Sequence, residues 1–204
     1  MTSTTAASEL VLDRRAQDLL FREARTANAF TGEPVDDGQI EAIYDLMKWA
    51  PTPANTQPLR IVVVRSAAAK ARLVPLMDEG NRAKTESAPA TAILAADTRF
   101  HRHWDRLLPF RPGGGAALAR KPEAAEAMAR FNATLQAGYF LLAVRAAGLA
   151  AGPMAGFDRA AVDAELLADR ALCSLLVVNL GRPGPDAWLG RLPRLEHHEV
   201  VTVL

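Results

Sequence analysis

With 204 residues, 50% of them hydrophobic and 23% charged, the chain is long enough for one sizeable core and too short for two ordinary domains. Its 24 basic and 23 acidic residues leave a net charge of +1, which argues against the basic field that a dominant nucleic-acid or membrane-surface role requires. The one cysteine, Cys173, excludes an internal disulfide, and no apolar run approaches the ~20 residues that span a bilayer.

Residues 1–8 are small and polar and are expected to fray. Met1–Asp13 lacks the basic start, apolar middle and cleavage site of a signal peptide, so a cytoplasmic protein is expected. Leu12, Ala16, Leu19 and Leu20 follow helical spacing and predict a first helix to about Ala24, ending in the polar elbow Arg25–Phe30. A second helix starts near Asp36, with Gln39 placed for a capping box and a stripe of Ile40, Ile43, Tyr44, Met47 and Ala50. Pro51 and Pro53 stop it.

Ile61–Val64 is a β-branched run between Pro58 and Ser66 and predicts a strand covered on both faces. Ser66 then caps a helix to about Met77, and Ala90–Ala96 predicts a second strand. Thr98–Lys121, with two histidines, Trp104 and three consecutive glycines, reads as an irregular loop or lid. Glu123–Ala147 is the longest predicted helix, with Ala124, Met128, Phe131, Leu135, Tyr139, Leu142 and Ala146 on its apolar side and Gly148 as its stop. A short helix over Asp158–Leu167 and a strand over Ala171–Leu180 follow, the latter burying Cys173 as an inert thiol. The tail carries Arg191, Pro193 and Arg194 and ends in a β-branched run, Val200–Leu204. There are no internal repeats, and the mixture of elements predicts one α/β or α+β domain over 1–204.

Familiar nucleotide, metal and hydrolase sites are missing. No GxGxxG follows a strand, and there is neither a GxxxxGK[ST] nor a GxSxG. His101, His103, His197 and His198 have no acid or thiol at ligand spacing, so no metal is expected.

What remains is a series of five polar segments at element ends. Arg25-Thr26-Ala27-Asn28 offers a cation, a hydroxyl and an amide suited to a phosphate and a polyol. Trp49–Pro58 sets Thr52, Asn55 and Gln57 among three prolines, which stiffen the loop. Asn81 and Lys84 lie one helical turn apart and share a face. Gly152–Phe157 has glycines that allow a flat ligand to approach the backbone. Arg191-Leu192-Pro193-Arg194 is a second source of cations.

In this order, the five segments resemble the FMN site of the nitroreductase family, and Ala50–Pro58 resembles that family's A-P-[ST]-x-x-N-x-Q-P motif. The resemblance runs from about Leu19 to the end. It is nearest to the RutE-like branch, malonic semialdehyde reductases of pyrimidine breakdown, through Ala24-Arg25-Thr26, Leu46–Trp49, Gly148-Leu149, Gly152–Asp158 and Arg191–Leu195.

The resemblance implies an α+β fold with a central mixed sheet flanked by helices, and a homodimer with FMN at its interface. It also implies hydride supply from NADH or NADPH, and no nucleic-acid or membrane partner. Residue by residue, it implies that Arg25 and Arg191 hold the FMN phosphate, and that Thr26 and Asn28 line the phosphate, ribityl and pyrimidine side. Asn81 and Lys84 would face the pyrimidine edge, and the backbone at Ala155 and Gly156 would approach N5. Thr52, Pro53 and Asn55 would reach the flavin of a second subunit. Lys84 is the catalytic candidate, stabilising negative charge on the reduced ring.

Many members carry a basic residue where this chain has Ala24, Asn28 and Leu189. The implied activity is ping-pong reduction of malonic semialdehyde to 3-hydroxypropionate, with Arg102, Arg106 and Arg111 as candidates for the substrate carboxylate. A broad nitroaromatic, quinone or enone reductase is the alternative enzyme, for which Trp104 and Phe110 would serve as aromatic lining. A flavin-binding redox sensor is the alternative of another class.

Overall fold

The computed structural model describes residues 10–204, so the expected fraying of residues 1–8 lies outside it. The first helix is shorter than its periodicity predicts. Asp13 caps α1 (Arg14–Gln17), and the chain then widens into a π-helical turn, Asp18–Arg22, in which Glu23 N–H donates to the Asp18 carbonyl at 2.9 Å. α2 (Asp37–Met47) begins with the expected capping box between Asp36 and Gln39. β1 (Leu59–Val64) is followed by α3 (Ala67–Leu73), which Ser66 caps. Pro75 then turns the predicted remainder of that helix into a 3-10 turn, Val74–Leu76. α4 (Glu79–Ser87) leads to β2 (Ala90–Asp97).

The segment predicted as an irregular loop is folded. A 3-10 turn, Phe100–His103, runs into α5 (Trp104–Leu107) and then α6 (Gly114–Ala119). Phe100 is buried, Trp104 Nε1 donates to the Arg111 carbonyl at 2.7 Å, and Gly113 N–H donates to Asp105 Oδ1 at 3.0 Å. These anchors come from side chains whose partners are non-periodic, so no hydrophobic pattern announces them.

α7 (Pro122–Ala146) crosses the sheet, and β3 (Ala150–Met154), α8 (Arg159–Leu166), β4 (Leu172–Gly181) and α9 (His197–Val200) complete the chain. β3 was not foreseen as a strand, because Gly152 and Pro153 weaken the pattern. Its place at the sheet edge tolerates a proline that cannot donate.

The sheet order is β1-β2-β4-β3, and all three pairings are antiparallel, where a mixed sheet was expected. β2 and β3 run the same way on either side of β4, and helices join each strand to the next in sequence. The terminal run Val200–Leu204, the remaining candidate for a further strand, is exposed and pairs with no strand among the described residues. β1 is an edge strand whose Ile61 and Val63 pack on one core cluster and Val62 and Val64 on the other, so both its faces are covered although Ile61, Val62 and Val63 stay partly exposed.

α7 meets the sheet through Ala125, Ala129, Ala133, Ala137, Phe140, Ala143 and Val144, at helical spacing. The stripe of larger residues points elsewhere: Phe131, Leu135 and Tyr139 are 62%, 42% and 43% exposed. Alanines let the helix axis approach the strands closely, whereas a row of bulky side chains would hold it off. The other sheet face packs Ile93, Ala95 and Val177 against Leu73, Met77, Phe157 and Val162. No helix among the described residues is long and apolar enough to cross a membrane.

Candidate functional site

The elbow Arg25–Phe30 lies across the outer edge of β3. Ala27 N–H donates to the Ala151 carbonyl at 3.1 Å and Asn28 N–H to the Ala187 carbonyl at 2.9 Å. Gly152 makes this crossing possible, because a Cβ there would sit 2.6 Å from the Ala27 carbonyl oxygen. The elbow and the C-terminal tail enclose a cavity of about 310 Å³ lined by Arg25, Thr26, Asn28, Arg145, Arg191 and Arg194, among others. Four guanidinium groups and no carboxylate line it; Glu23 reaches Arg191 from the rim at 3.9 Å.

Arg25 Nε is buried without a hydrogen-bond partner, while its Cζ lies 5.6 Å from the centre of the Trp188 ring. An unpaired buried donor on a cation is costly unless an anion accepts from it. The cavity is therefore built for a compact, multiply charged anion, and a phosphate monoester fits that description.

From this cavity a chain of polar groups runs along α4. Asn28 Nδ2 donates to the Thr26 carbonyl at 3.2 Å, and Lys84 Nζ donates to Asn28 Oδ1 at 3.4 Å. One turn earlier, Asn81 Nδ2 donates to the Gly156 carbonyl at 2.8 Å, beside the exposed Ala155. Gly156 leaves room for these side chains: a Cβ would meet Asp78 Oδ2 at 2.5 Å and Asn81 Nδ2 at 2.8 Å and displace them. Thus Arg25, Thr26, Asn28, Asn81, Lys84, Ala155, Gly156 and Arg191 are brought to one edge of the sheet.

Thr52, Pro53 and Asn55 are not among them. Their loop leads into β1, at the opposite edge and three strand spacings, or about 14 Å, from β3. Ala54, Asn55 and Gln57 all take positive φ, at 54°, 49° and 42°. This is a costly backbone for non-glycine residues and a frequent mark of functional loops. Gln57 N–H donates to Thr52 Oγ1 at 3.2 Å, Gln57 Nε2 to Asn55 Oδ1 at 2.6 Å, and Asn55 Nδ2 to the Leu107 carbonyl at 2.9 Å.

The last contact joins this loop to the 98–121 segment. Both border a cavity of about 490 Å³, whose apolar floor includes Leu59, Ile61 and Phe140, and whose cations are Lys48, Arg60 and Arg106, with His103 beside them. Of the arginines considered for a substrate carboxylate, Arg106 lines it, whereas Arg102 and Arg111 are exposed and line neither cavity. Phe110 is 78% exposed.

Cys173 is buried, its pKa raised chiefly by burial, and its thiol donates to the Ala96 carbonyl at 3.5 Å. It touches neither half of the site. Among the described residues, no group of three or more His, Cys, Asp or Glu is placed to hold a metal. Sequence reasoning missed Arg145 in the basic cavity and Trp188, which stands against Arg25 and lines an adjoining cavity. Arg145 reads as an ordinary basic residue at a helix C-terminus, and nothing in its neighbourhood suggests otherwise.

The chain is similar to known proteins along most of its length. A model described as Nitroreductase family matches residues 21–182. A Streptomyces griseus protein, named provisionally as an NADH dehydrogenase/NAD(P)H nitroreductase, is 55% identical over 96% of this chain and 99% of its own length. A provisional nitroreductase from Exiguobacterium sibiricum, solved in complex with FMN, superimposes with a TM-score of 0.79 at 16% identity, covering 97% of this chain and 100% of that one. A gut-bacterial enone reductase of fatty acid saturation matches with a TM-score of 0.79 at 18% identity, covering 94% and 99%.

Proposed function

The chain belongs to the nitroreductase family, and from that membership we propose that it is a cytoplasmic, FMN-dependent, NAD(P)H-oxidising reductase working as a homodimer. The observation that carries the reading is the buried, unpartnered Arg25 Nε in a cavity shared with Arg191, joined through Asn28 and Lys84 to Asn81 and Gly156. Charge and donor chemistry both suit a flavin mononucleotide: an anion site at one end, and a backbone edge with an amide and an ammonium group at the other. The FMN bound by the Exiguobacterium protein and the NAD(P)H in the Streptomyces protein's name support the same cofactor pair.

In this reading Arg25 and Arg191 hold the phosphate, and Thr26 and Asn28 line the path from it. Asn81, Ala155 and Gly156 present amide and backbone groups to the ring. When bound, FMN supplies acceptance of a hydride from NAD(P)H and its delivery to an electrophile. Lys84 lies on the pyrimidine side, where its ammonium group favours the form of the ring carrying extra negative charge. Asn28 orients Lys84 by accepting its hydrogen bond. No side chain is assigned as proton donor; water serves. One cavity used in turn by NAD(P)H and by substrate gives ping-pong kinetics.

Two observations support the homodimer. Thr52, Pro53 and Asn55 lie at the far sheet edge, where they can complete only another chain's site. The exposed Phe131, Leu135 and Tyr139 of α7 form an apolar face of the kind that a second copy covers.

For substrate, the RutE-like segments favour malonic semialdehyde, and Arg106 beside the Asn55 loop is a cation suited to its carboxylate. A broad nitroaromatic or enone reductase is the second reading, favoured by the relatives' names and by the apolar floor of the larger cavity. Anaerobic visible spectroscopy separates these readings. A yellow protein bleached by NADH or NADPH and reoxidised mainly by malonic semialdehyde supports the first, and reoxidation mainly by a nitroaromatic supports the second. Bleaching that neither compound reverses would favour a redox sensor, and a protein that takes up no FMN refutes the proposal.

A further inference from the structure

The basic cavity contains a cation that helix patterning gave no reason to place there. Arg145 belongs to the last turn of α7, where a basic residue ordinarily complements the helix dipole in solvent. Here it is partly buried and lines both the 310 Å³ cavity and an adjoining one of about 220 Å³. Its Nη1 donates to the Leu20 carbonyl at 3.3 Å, and among the described residues its side chain forms no other hydrogen bond or ion pair. Burial alone acts on it and lowers its pKa from the usual arginine value.

The acids of the adjoining cavity are engaged elsewhere: Asp18 with Arg14 at 2.9 Å and Arg22 at 3.8 Å, and Glu23 with Arg191 at 3.9 Å. A guanidinium carries five donors, and one carbonyl does not compensate for its lost hydration. The chain also lacks cations at Ala24, Asn28 and Leu189, all three of which line this cavity. The end of α7 thus adds a fourth guanidinium to those that the elbow and the tail supply.

We infer that Arg145 is a phosphate-binding residue: with Arg25 and Arg191 it neutralises the phosphate monoester of the bound flavin. The inference rests on the flavin reading above. It distinguishes phosphate recognition from support of the Leu20 turn, because only the first depends on whether the ligand carries a phosphate.

The test is a fluorescence titration of the full-length apoprotein with FMN and with riboflavin, for the wild type and Arg145→Gln. Loss of a charge-assisted hydrogen bond should weaken FMN binding by roughly tenfold or more and leave riboflavin within about twofold. Arg145→Met, which keeps the aliphatic stem against the cavity wall, carries the same comparison if the glutamine variant fails to fold. Equal loss for both ligands, or no loss for FMN, overturns the inference and leaves Arg145 as a support for the Leu20 turn. A wild type that binds FMN no better than riboflavin also overturns it, and one that binds neither refutes the flavin reading itself.

Discussion

In the proposed flavin site, Lys84 and Gly156 would serve the same end by different physics. Lys84 contributes charge: its Nζ is held 3.4 Å from Asn28 Oδ1, with Asn81 one turn away on the same face of α4. Lys84→Met is expected to keep the fold and lower kcat/KM by roughly 100-fold, the range for removing one electrostatic group from a preorganised site. Flavin potential read by dye equilibration should fall with it, and an unchanged potential would remove Lys84 from its assigned role. Gly156 contributes space. Gly156→Ala sets a methyl against Asp78 and Asn81, breaks the Asn81–Gly156 bond, and should release flavin with only a modest loss of Tm. The motif residues and both of these were legible in the sequence, because family spacing marks them. Arg145 was not, because its meaning depends on which surface the last turn of α7 faces.

Among the elements, α4 and α7 show how packing overrides pattern. α4 is polar, and a small buried network ties it to the sheet: Asn179 Nδ2 donates to Thr85 Oγ1 at 3.3 Å, and Thr91 Oγ1 donates to Asn179 Oδ1 at 2.9 Å. Thr85 follows Lys84 directly, so the network fixes the helix that presents the ammonium group. α7 has two apolar sides. The alanine-rich one, with Phe140, faces the sheet, and the bulky one, with Phe131, is exposed. Phe140→Ala should cost about 3–5 kcal/mol in denaturant unfolding through the cavity it leaves. Phe131→Asp should leave the monomer fold intact and move the protein towards monomer in light scattering. If Phe131→Asp unfolded the isolated chain, the assignment of that face to a second copy would fail.

At the scale of the whole molecule, the antiparallel order β1-β2-β4-β3 sets Arg25 and Asn55, the two halves of the proposed site, on opposite sheet edges. One chain cannot unite them, whereas a two-fold pair can, twice. Arg25→Ala and Asn55→Ala should each be impaired alone. Unfolded together and refolded as a mixture, they should recover about one quarter of the wild-type activity, since half the dimers are mixed and each mixed dimer carries one intact site. No recovery would mean that each chain builds its site alone.

The sequence by itself determined the class of the domain, most of its helices and strands, and the ordered polar segments that mark the family. Those properties are local: a cap at Asp36, a β-branched run before Ser66 and a stop at Gly148 act within a few residues of themselves. Tertiary structure alone decided that all strand pairings are antiparallel, that Gly152-Pro153 sits in an edge strand, and that 98–121 is folded. It also decided which side of α7 is buried and that Arg145 enters the basic cavity. Each of these depends on groups far apart in the chain meeting in space, where close packing and the cost of an unpaired buried charge select among arrangements that local pattern leaves equivalent.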